Sequence, residues 1–281
     1  MTEPGRFATM TRAASLTIVL PAYNEAKRIG PALDELMAYL APQAAGAGAD
    51  AAQVPGLPST IEVLVVDDGS TDGTADLVRA RPDARVAPSP GLTLRVLTVP
   101  HAGKGAAVRA GMLAASSDLI VFSDADLATP PDQLPLMVDT LARADVGLGS
   151  RIQLDGSDMR ASQPPYRRLI GKLFHLFASV WVVGPVRDTQ CGFKGFTRQA
   201  AHDLFSRQRL TSIVFDVELI YLARRRKYGI EVVPIRWADR RGSRMRARPG
   251  LALQVAWDLF RIPLIHRSVA AAPRPVRDEL A

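Results

Sequence analysis

The sequence predicts an α/β fold in which a mostly parallel sheet is covered by helices on both faces. Two observations carry this. Short β-branched or aliphatic runs recur at 16–20, 61–66, 94–99, 119–122, 146–148 and 231–235. Between the early runs lie helix-like stretches, and strands that alternate with helices imply parallel pairing with the helices laid on the faces.

Taken in order, residues 1–14 have the character of a tail. The run 16–20 is followed by a helical stretch at 25–40, where Ile29, Leu33, Leu36 and Leu40 fall at helical spacing. Residues 41–60 are rich in Ala, Gly and Pro without an apolar period, which reads as a flexible insertion before the second strand. The stretches 104–115 and 133–142 repeat the helical period, and 215–228 forms a later helix that ends in Arg224, Arg225, Arg226 and Lys227. Two further stretches, 166–183 and 251–265, combine apolar residues with aromatic and basic ones, among them Phe174, Trp181, Trp257, Phe260 and Arg261. They read as amphipathic helices able to lie in a membrane interface, with core packing as the competing reading. The expected organisation is one domain over 15–248, a C-terminal amphipathic helix over 249–269 and a tail over 270–281.

At 281 residues the chain can bury a sizeable core, and 47% hydrophobic content excludes a wholly disordered protein. The formal charge of +7 implies an anionic partner, whether nucleic acid, lipid headgroups or phosphorylated substrates. Cys191, as a single cysteine, cannot form an internal disulfide; a reducing compartment and a buried, apolar role fit it best. No run reaches the roughly 20 apolar residues that span a bilayer, and the first fourteen residues lack the apolar stretch of an export signal.

In open α/β sheets ligands sit beyond the carboxyl ends of the strands. Three strand ends carry polar motifs: Pro21-Ala22-Tyr23-Asn24-Glu25, then Asp67-Asp68-Gly69-Ser70-Thr71-Asp72-Gly73-Thr74, then Asp124-Ala125-Asp126. A single such motif could be an ordinary turn or cap. Three at successive strand ends point to a ligand, because a cap needs one Asp and not a pair leaving an apolar strand directly. Asp68 to Gly73 mimics a calcium loop, but Arg79 stands where the twelfth position requires Glu. Asp124 and Asp126 flank one small residue, so two carboxylates can approach a hard divalent ion, Mg²⁺ or Mn²⁺, while a ligand's diphosphate completes the coordination. His101, Gly103, Lys104 and Gly105 open a helix that offers backbone N–H groups and a cation to phosphate. The spacing of a nucleotide hydrolase phosphate loop is absent, and no Gly-x-Gly-x-x-Gly turn follows the first strand.

The ordered series VLPAYNE, DDGSTDGT, HAGKGAAVRAG, FSDADLATP, GSR and DTQCGFKGF resembles glycosyltransferase family 2, with the GT-A fold, over about 220 residues from 16 to 248. Its motifs look most like the dolichyl-phosphate glucosyltransferase and polyprenyl-phosphate sugar synthase branch. The resemblance implies that Pro21, Ala22, Tyr23, Asn24, Glu25, Asp67 or Asp68, and Lys104 hold a nucleotide sugar, with Asp124, Ala125 and Asp126 at the metal and diphosphate. Mannosyl members often carry Gln two places after the second Asp of that turn. Ala128 stands here instead, which favours the glucosyl type and a UDP-sugar over a GDP-sugar. On the acceptor side, Arg151, Arg167 or Arg168, and Arg240 match positions that grip a lipid phosphate.

The reaction so implied is an inverting displacement at the anomeric carbon by a phosphate oxygen of a polyprenyl phosphate, at the cytoplasmic face of a membrane touched peripherally. Lys104, Arg240 and the metal would offset charge on the leaving diphosphate. A phosphate monoester is already ionised at neutral pH, so no general base is needed. A hydroxyl acceptor would need one, and Asp188 is the candidate. A soluble acceptor on the same fold is the alternative. A nucleic-acid module is remote, since aromatic residues are not interleaved with the late arginines. Oligomeric state is not legible.

Overall fold

A computed structural model describes residues 15–44, 56–153, 155, 157–159, 182, 184, 186, 188–238 and 249–270. All six expected runs are strands: β1 (Ser15–Ala22), β2 (Thr60–Asp67), β3 (Leu92–Thr98), β4 (Leu119–Ser123), β5 (Val146–Ser150) and, last along the chain, β7 (Ile230–Pro234). An unexpected strand, β6 (Phe193–Thr197), completes a seven-stranded sheet of order β3-β2-β1-β4-β6-β5-β7. β6 runs antiparallel to β4 and β5, while the other pairings are parallel. The sequence hides β6 because its five residues, FKGFT, place a lysine and a glycine in the middle, which breaks an apolar run.

The helices are α1 (Ile29–Ala44), α2 (Thr74–Ala80), α3 (Pro82–Arg85), α4 (Lys104–Ala114), α5 (Leu134–Arg143), α6 (Arg198–Arg207), α7 (Phe215–Arg225) and α8 (Pro249–Ile265). α2, α3 and α6 were not anticipated; the first two are shorter than the window in which a helical period can be read. The expected insertion over 41–60 is narrower at both ends. α1 continues through Ala44, and Leu57 is buried in the core ahead of β2, while 45–55 lie outside the described residues. The stretch 166–183 also lies outside them except for Val182, as do both expected tails apart from Ala270.

Strand alternation divides the core into two layers. Leu16, Ile18 and Leu20 of β1, with Ile61, Val63 and Val65 of β2, pack against α1 and α5. Val19, Leu64, Val66, Ile120 and Phe122 point the other way, onto α4, α6 and α7. Buried from both sides, these strands have almost no polar positions except at their tips. Each fully buried Leu or Phe contributes about 1.5–3 kcal/mol, so the sheet is held rigidly beneath its polar edge. The tips of β1, β2 and β4 therefore reach one edge side by side, in the order set by the parallel pairing.

α8 packs one side on the body of the fold, burying Leu259, Ile262 and His266, and His266 Nε2 lies 2.6 Å from Glu218 Oε1. Its other side carries Leu253, Trp257, Phe260 and Leu264 at 76%, 60%, 41% and 53% exposure. Core packing therefore holds for one face of 251–265, while the opposite face is exposed and apolar.

Candidate active site

At the carboxyl edge of the sheet the three polar turns surround a cavity of about 290 Å³. Pro21, Ala22, Tyr23 and Glu25 line it from the end of β1, Asp68 from β2, and Asp124, Ala125 and Asp126 from β4. His101, Gly103, Lys104 and Ala107 close it from the start of α4, and Arg28 joins from the turn before α1.

The first two turns are stitched together. Asn24 takes a left-handed backbone (φ 55°), its N–H donates to Ser70 Oγ (2.8 Å), and its Oδ1 accepts from Thr71 N–H (2.9 Å). Glu25 N–H donates to Thr74 Oγ1 (2.8 Å) and Ala26 N–H to Asp72 Oδ2 (3.1 Å). Asn24, expected among the nucleotide-binding residues, is thus committed to the neighbouring turn and is not among the residues lining the cavity.

The two aspartates after β2 divide their work. Asp68 organises the next loop: its carboxylate accepts from Ala102 N–H (2.9 Å) and Gly103 N–H (3.0 Å) and meets His101 Nδ1 (2.8 Å). That nitrogen also faces the Asp68 carbonyl (3.1 Å); with two acceptors opposite, it carries the proton. The His101 ring then stacks on Tyr23 with centroids 4.0 Å apart. Asp67 is buried behind them; Oδ2 accepts from Ser70 N–H (3.2 Å), whereas Oδ1 has no hydrogen-bond partner among the described residues.

Asp124 and Asp126 sit at the head of the cavity. Burial and the neighbouring Asp124 push the Asp126 carboxyl above its ordinary pKa. Asp126 Oδ1 accepts from Ala128 N–H (3.1 Å), and Leu127 closes the turn at φ 50°. Asp124 N–H donates to Gly192 O (3.1 Å), so the loop before β6 fixes the turn, and Gly192 is required because a Cβ there would collide with the Asp124 carboxylate. Lys104 Nζ donates to Asp124 Oδ1 at 2.5 Å. Burial lowers the pKa of this ammonium, but the charges of Asp124 and Asp216 outweigh that and leave it raised. On the opposite wall Arg28 grips both oxygens of Glu25 through Nε and Nη2 at 2.6 Å. Four carboxylates and two cations line the cavity, leaving two net negative charges with His101 neutral.

Arg151 and Asp188 lie outside that lining and are bound to each other. Arg151 N–H and Nε donate to Asp188 Oδ2 (2.9 and 2.8 Å) and Nη2 donates to Oδ1 (2.7 Å). The guanidinium also lies 5.6 Å from the Trp237 ring centroid. Burial opposes the Arg151 charge, yet the bonds and charge of Asp188 raise its pKa. A carboxylate engaged on both oxygens is poorly placed to be the general base considered for Asp188. Arg167, Arg168 and Arg240 lie outside the described residues. Cys191, beside this pair, is fully buried and its thiol is pushed by burial up to about 12. Buried and little ionised near neutral pH, Cys191 should resist iodoacetamide in the native protein and react once urea unfolds it. Alkylation of the folded chain at the rate of a free thiol would contradict that burial.

Sequence reasoning passed over Arg28, Trp237 and the buried pair below the Asp124-Ala125-Asp126 turn, where Lys194 Nζ donates to Asp216 Oδ1 (2.6 Å) and to Cys191 O (2.5 Å). Arg28 stands three residues after Glu25, a spacing that in hindsight signals an ion pair. Nothing local signals the other two.

Residues 17–205 match the sequence pattern of Glycosyl transferase family 2. Across 259 residues the chain is 38% identical to the dolichyl-phosphate beta-glucosyltransferase ALG5C of Trichomonas vaginalis, covering 90% of this chain and 72% of that protein. It is 37% identical to the Drosophila melanogaster dolichyl-phosphate beta-glucosyltransferase (88% and 74% covered) and 34% identical to the human one (82% and 69%). Among solved structures, glucosyl-3-phosphoglycerate synthase of Mycobacterium tuberculosis in complex with UDP superposes with a TM-score of 0.58 at 23% identity, covering 93% of this chain and 86% of that one. The same enzyme with Mn²⁺, UDP-glucose and phosphoglyceric acid also gives 0.58, at 22% identity over 89% and 79% of the two chains. That likeness is one of fold and agrees with the expected GT-A arrangement; the sequence match decides the family. The chain belongs to glycosyl transferase family 2 and is a glycosyltransferase.

Proposed function

We propose that this enzyme transfers a glucosyl group from UDP-glucose to the phosphate of a polyprenyl lipid, with inversion at the anomeric carbon and a divalent cation, Mg²⁺ or Mn²⁺, at Asp124 and Asp126. The observation that carries this reading is 34–38% identity to dolichyl-phosphate beta-glucosyltransferases over 82–90% of the chain.

The donor set fits such an ion. It is all oxygen, as Mg²⁺ and Mn²⁺ prefer, and the two net negative charges lining the cavity equal one divalent cation in magnitude. Burial first, and then the like charge of Asp124, raise the pKa of Asp126, so an added cation is favoured there. When bound, the ion would neutralise charge developing on the leaving diphosphate.

The chain's own residues supply the rest. Tyr23 offers an aromatic face to a base, 41% exposed and backed by His101. Asp67 Oδ1, as a buried acceptor without a partner, suits a donor N–H or O–H of the nucleoside. Lys104 and the N-terminus of α4 suit the diphosphate, and Arg28 adds a second cation at the cavity wall. Arg151, held flat by Asp188, is the described arginine assigned to the acceptor phosphate, with Arg167, Arg168 and Arg240 as further candidates. Because that phosphate is already ionised at neutral pH, the engagement of Asp188 with Arg151 costs the reaction nothing.

No helix among the described residues is long and apolar enough to cross a membrane. The exposed stripe of Leu253, Trp257, Phe260 and Leu264 instead suits the plane of a lipid surface. α8 is tied to the cavity edge through two bonds: Asp258 Oδ2 accepts from Ser212 Oγ (2.7 Å), and the adjacent Thr211 O accepts from Gly105 N–H (3.0 Å) at the start of α4. A membrane-seated α8 would therefore keep a lipid phosphate near the cavity. Replacing Trp257 and Leu264 by Glu should reduce co-flotation with anionic vesicles about tenfold while leaving the urea midpoint in place, because both side chains face outward. Unchanged flotation would remove α8 from the lipid contact.

The direct test is incubation with UDP-[¹⁴C]glucose, Mg²⁺ and polyprenyl phosphate, which should label the lipid. Label that enters 3-phosphoglycerate and not lipid would assign the acceptor to the soluble alternative.

A further inference from the structure

The shortest contact in the cavity is between the metal turn and a lysine. Lys104 Nζ lies 2.5 Å from Asp124 Oδ1, in ion-pair contact. Asp216, buried below, adds a second negative charge on the same side. An oxygen that accepts from an ammonium at this distance cannot also carry a divalent cation without bringing two like charges together. The remaining donor, Asp126, is one carboxylate. Among the described residues no group of three or more His, Cys, Asp or Glu could hold a metal.

The side chain is placed to leave. Lys104 is the first residue of α4, on a flexible four-carbon stem with 35% of its side chain exposed. Its surroundings suit an anion, since α4 begins at Lys104 on the cavity wall and the positive end of the helix dipole faces that side. A diphosphate arriving there would attract the ammonium and free the Asp124 oxygen. It would also bring oxygens to complete a coordination shell that two carboxylates leave open.

We propose that Lys104 is a built-in counter-ion that occupies Asp124 and makes metal binding depend on the donor diphosphate, to which its ammonium then transfers. This rests on the metal-dependent reading above and adds an order to it. Metal and diphosphate bind together, and Lys104 penalises either metal alone or a misplaced cation. By reciprocity UDP must tighten Mn²⁺ by the same factor as Mn²⁺ tightens UDP.

The test is Mn²⁺ binding by the electron paramagnetic resonance signal of the free ion, with and without UDP, for the wild type, Lys104→Met and Lys104→Arg. The wild type should bind Mn²⁺ weakly alone and at least about tenfold more tightly with saturating UDP, within the usual range of coupling. Lys104→Met should bind Mn²⁺ alone about fivefold or more tightly than the wild type, bind UDP less well, and lose most of the coupling. Lys104→Arg, which keeps a cation there, should stay near the wild type. If Lys104→Met binds Mn²⁺ alone no better than the wild type while UDP still recruits Mn²⁺, the counter-ion proposal is wrong and the metal reading stands. Tight Mn²⁺ binding by the wild type without UDP overturns the proposal even should Lys104→Met fail to fold. If no variant binds Mn²⁺ with UDP present, the metal reading falls and takes the proposal with it.

Discussion

Asp126→Asn is expected to lower kcat/KM for glucosyl transfer to polyprenyl phosphate about 10³-fold, a loss of about 4 kcal/mol in transition-state stabilisation. The amide has the shape of the carboxylate and its oxygen can still accept from Ala128 N–H, so the turn keeps its backbone bond. What disappears is one of the two negative charges at the head of the cavity, and with it the attraction for a divalent ion. The variant should unfold within about 0.5 kcal/mol of the wild type, as substitutions that leave packing and bonding intact do. The measurement is lipid labelling from UDP-[¹⁴C]glucose across a Mn²⁺ titration, paired with urea unfolding. Because burial and Asp124 raise the Asp126 pKa, protons compete with metal at a higher pH than for an ordinary carboxylate, and Mn²⁺ dependence should steepen on acidification. Labelling that survives the substitution at every Mn²⁺ concentration would remove Asp126 from the metal site.

Lys194→Met should cost about 3–5 kcal/mol of folding stability, because it leaves Asp216 as a buried charge without its partner. Lys194 is fully buried in β6, its ammonium held by Asp216 Oδ1 and Cys191 O and lying 5.5 Å from the Phe122 ring centroid. For a chain of this size the melting temperature should fall by about 10 °C. Removing both charges together, as Lys194→Met with Asp216→Leu, should recover most of the loss, since a buried pair and an apolar pair of similar volume differ little. The single variant should also disturb the metal turn. Cys191 O is one anchor of the loop whose Gly192 receives Asp124 N–H, so Mn²⁺ and UDP affinity should weaken in Lys194→Met and return in part in the double variant. A melting temperature unmoved by Lys194→Met would mean that the pair is not ionised in the folded protein.

The positions of both residues show where local reading stops. The Asp124-Ala125-Asp126 turn is legible as part of the cavity lining because it follows an apolar strand directly and pairs two carboxylates where a cap needs one. Tyr23, Glu25 and Lys104 were legible for the same reason. Lys194 was not, although it lies in a quoted motif, because its partner is 22 positions away on helix α7 and no periodicity links it to β6. Asn24 looked like a ligand-binding residue until the fold placed Thr71 against it. Asp188 looked available as a base until Arg151, 37 positions away in sequence, took both of its oxygens.

By itself the sequence determined the parallel strands, the longer helices α1, α4, α5, α7 and α8, the polar turns at the strand tips and the family, because strand and helix periods and strand-end chemistry are written within a few consecutive residues. Only the tertiary structure decided that β6 inserts antiparallel between β4 and β5, that α8 divides into a docked and an exposed face, and which acid each lysine and arginine serves. The reason is physical: an ion pair or a strand pairing depends on distance in space, and chain segments far apart in sequence meet only where burial of the apolar layers brings them together.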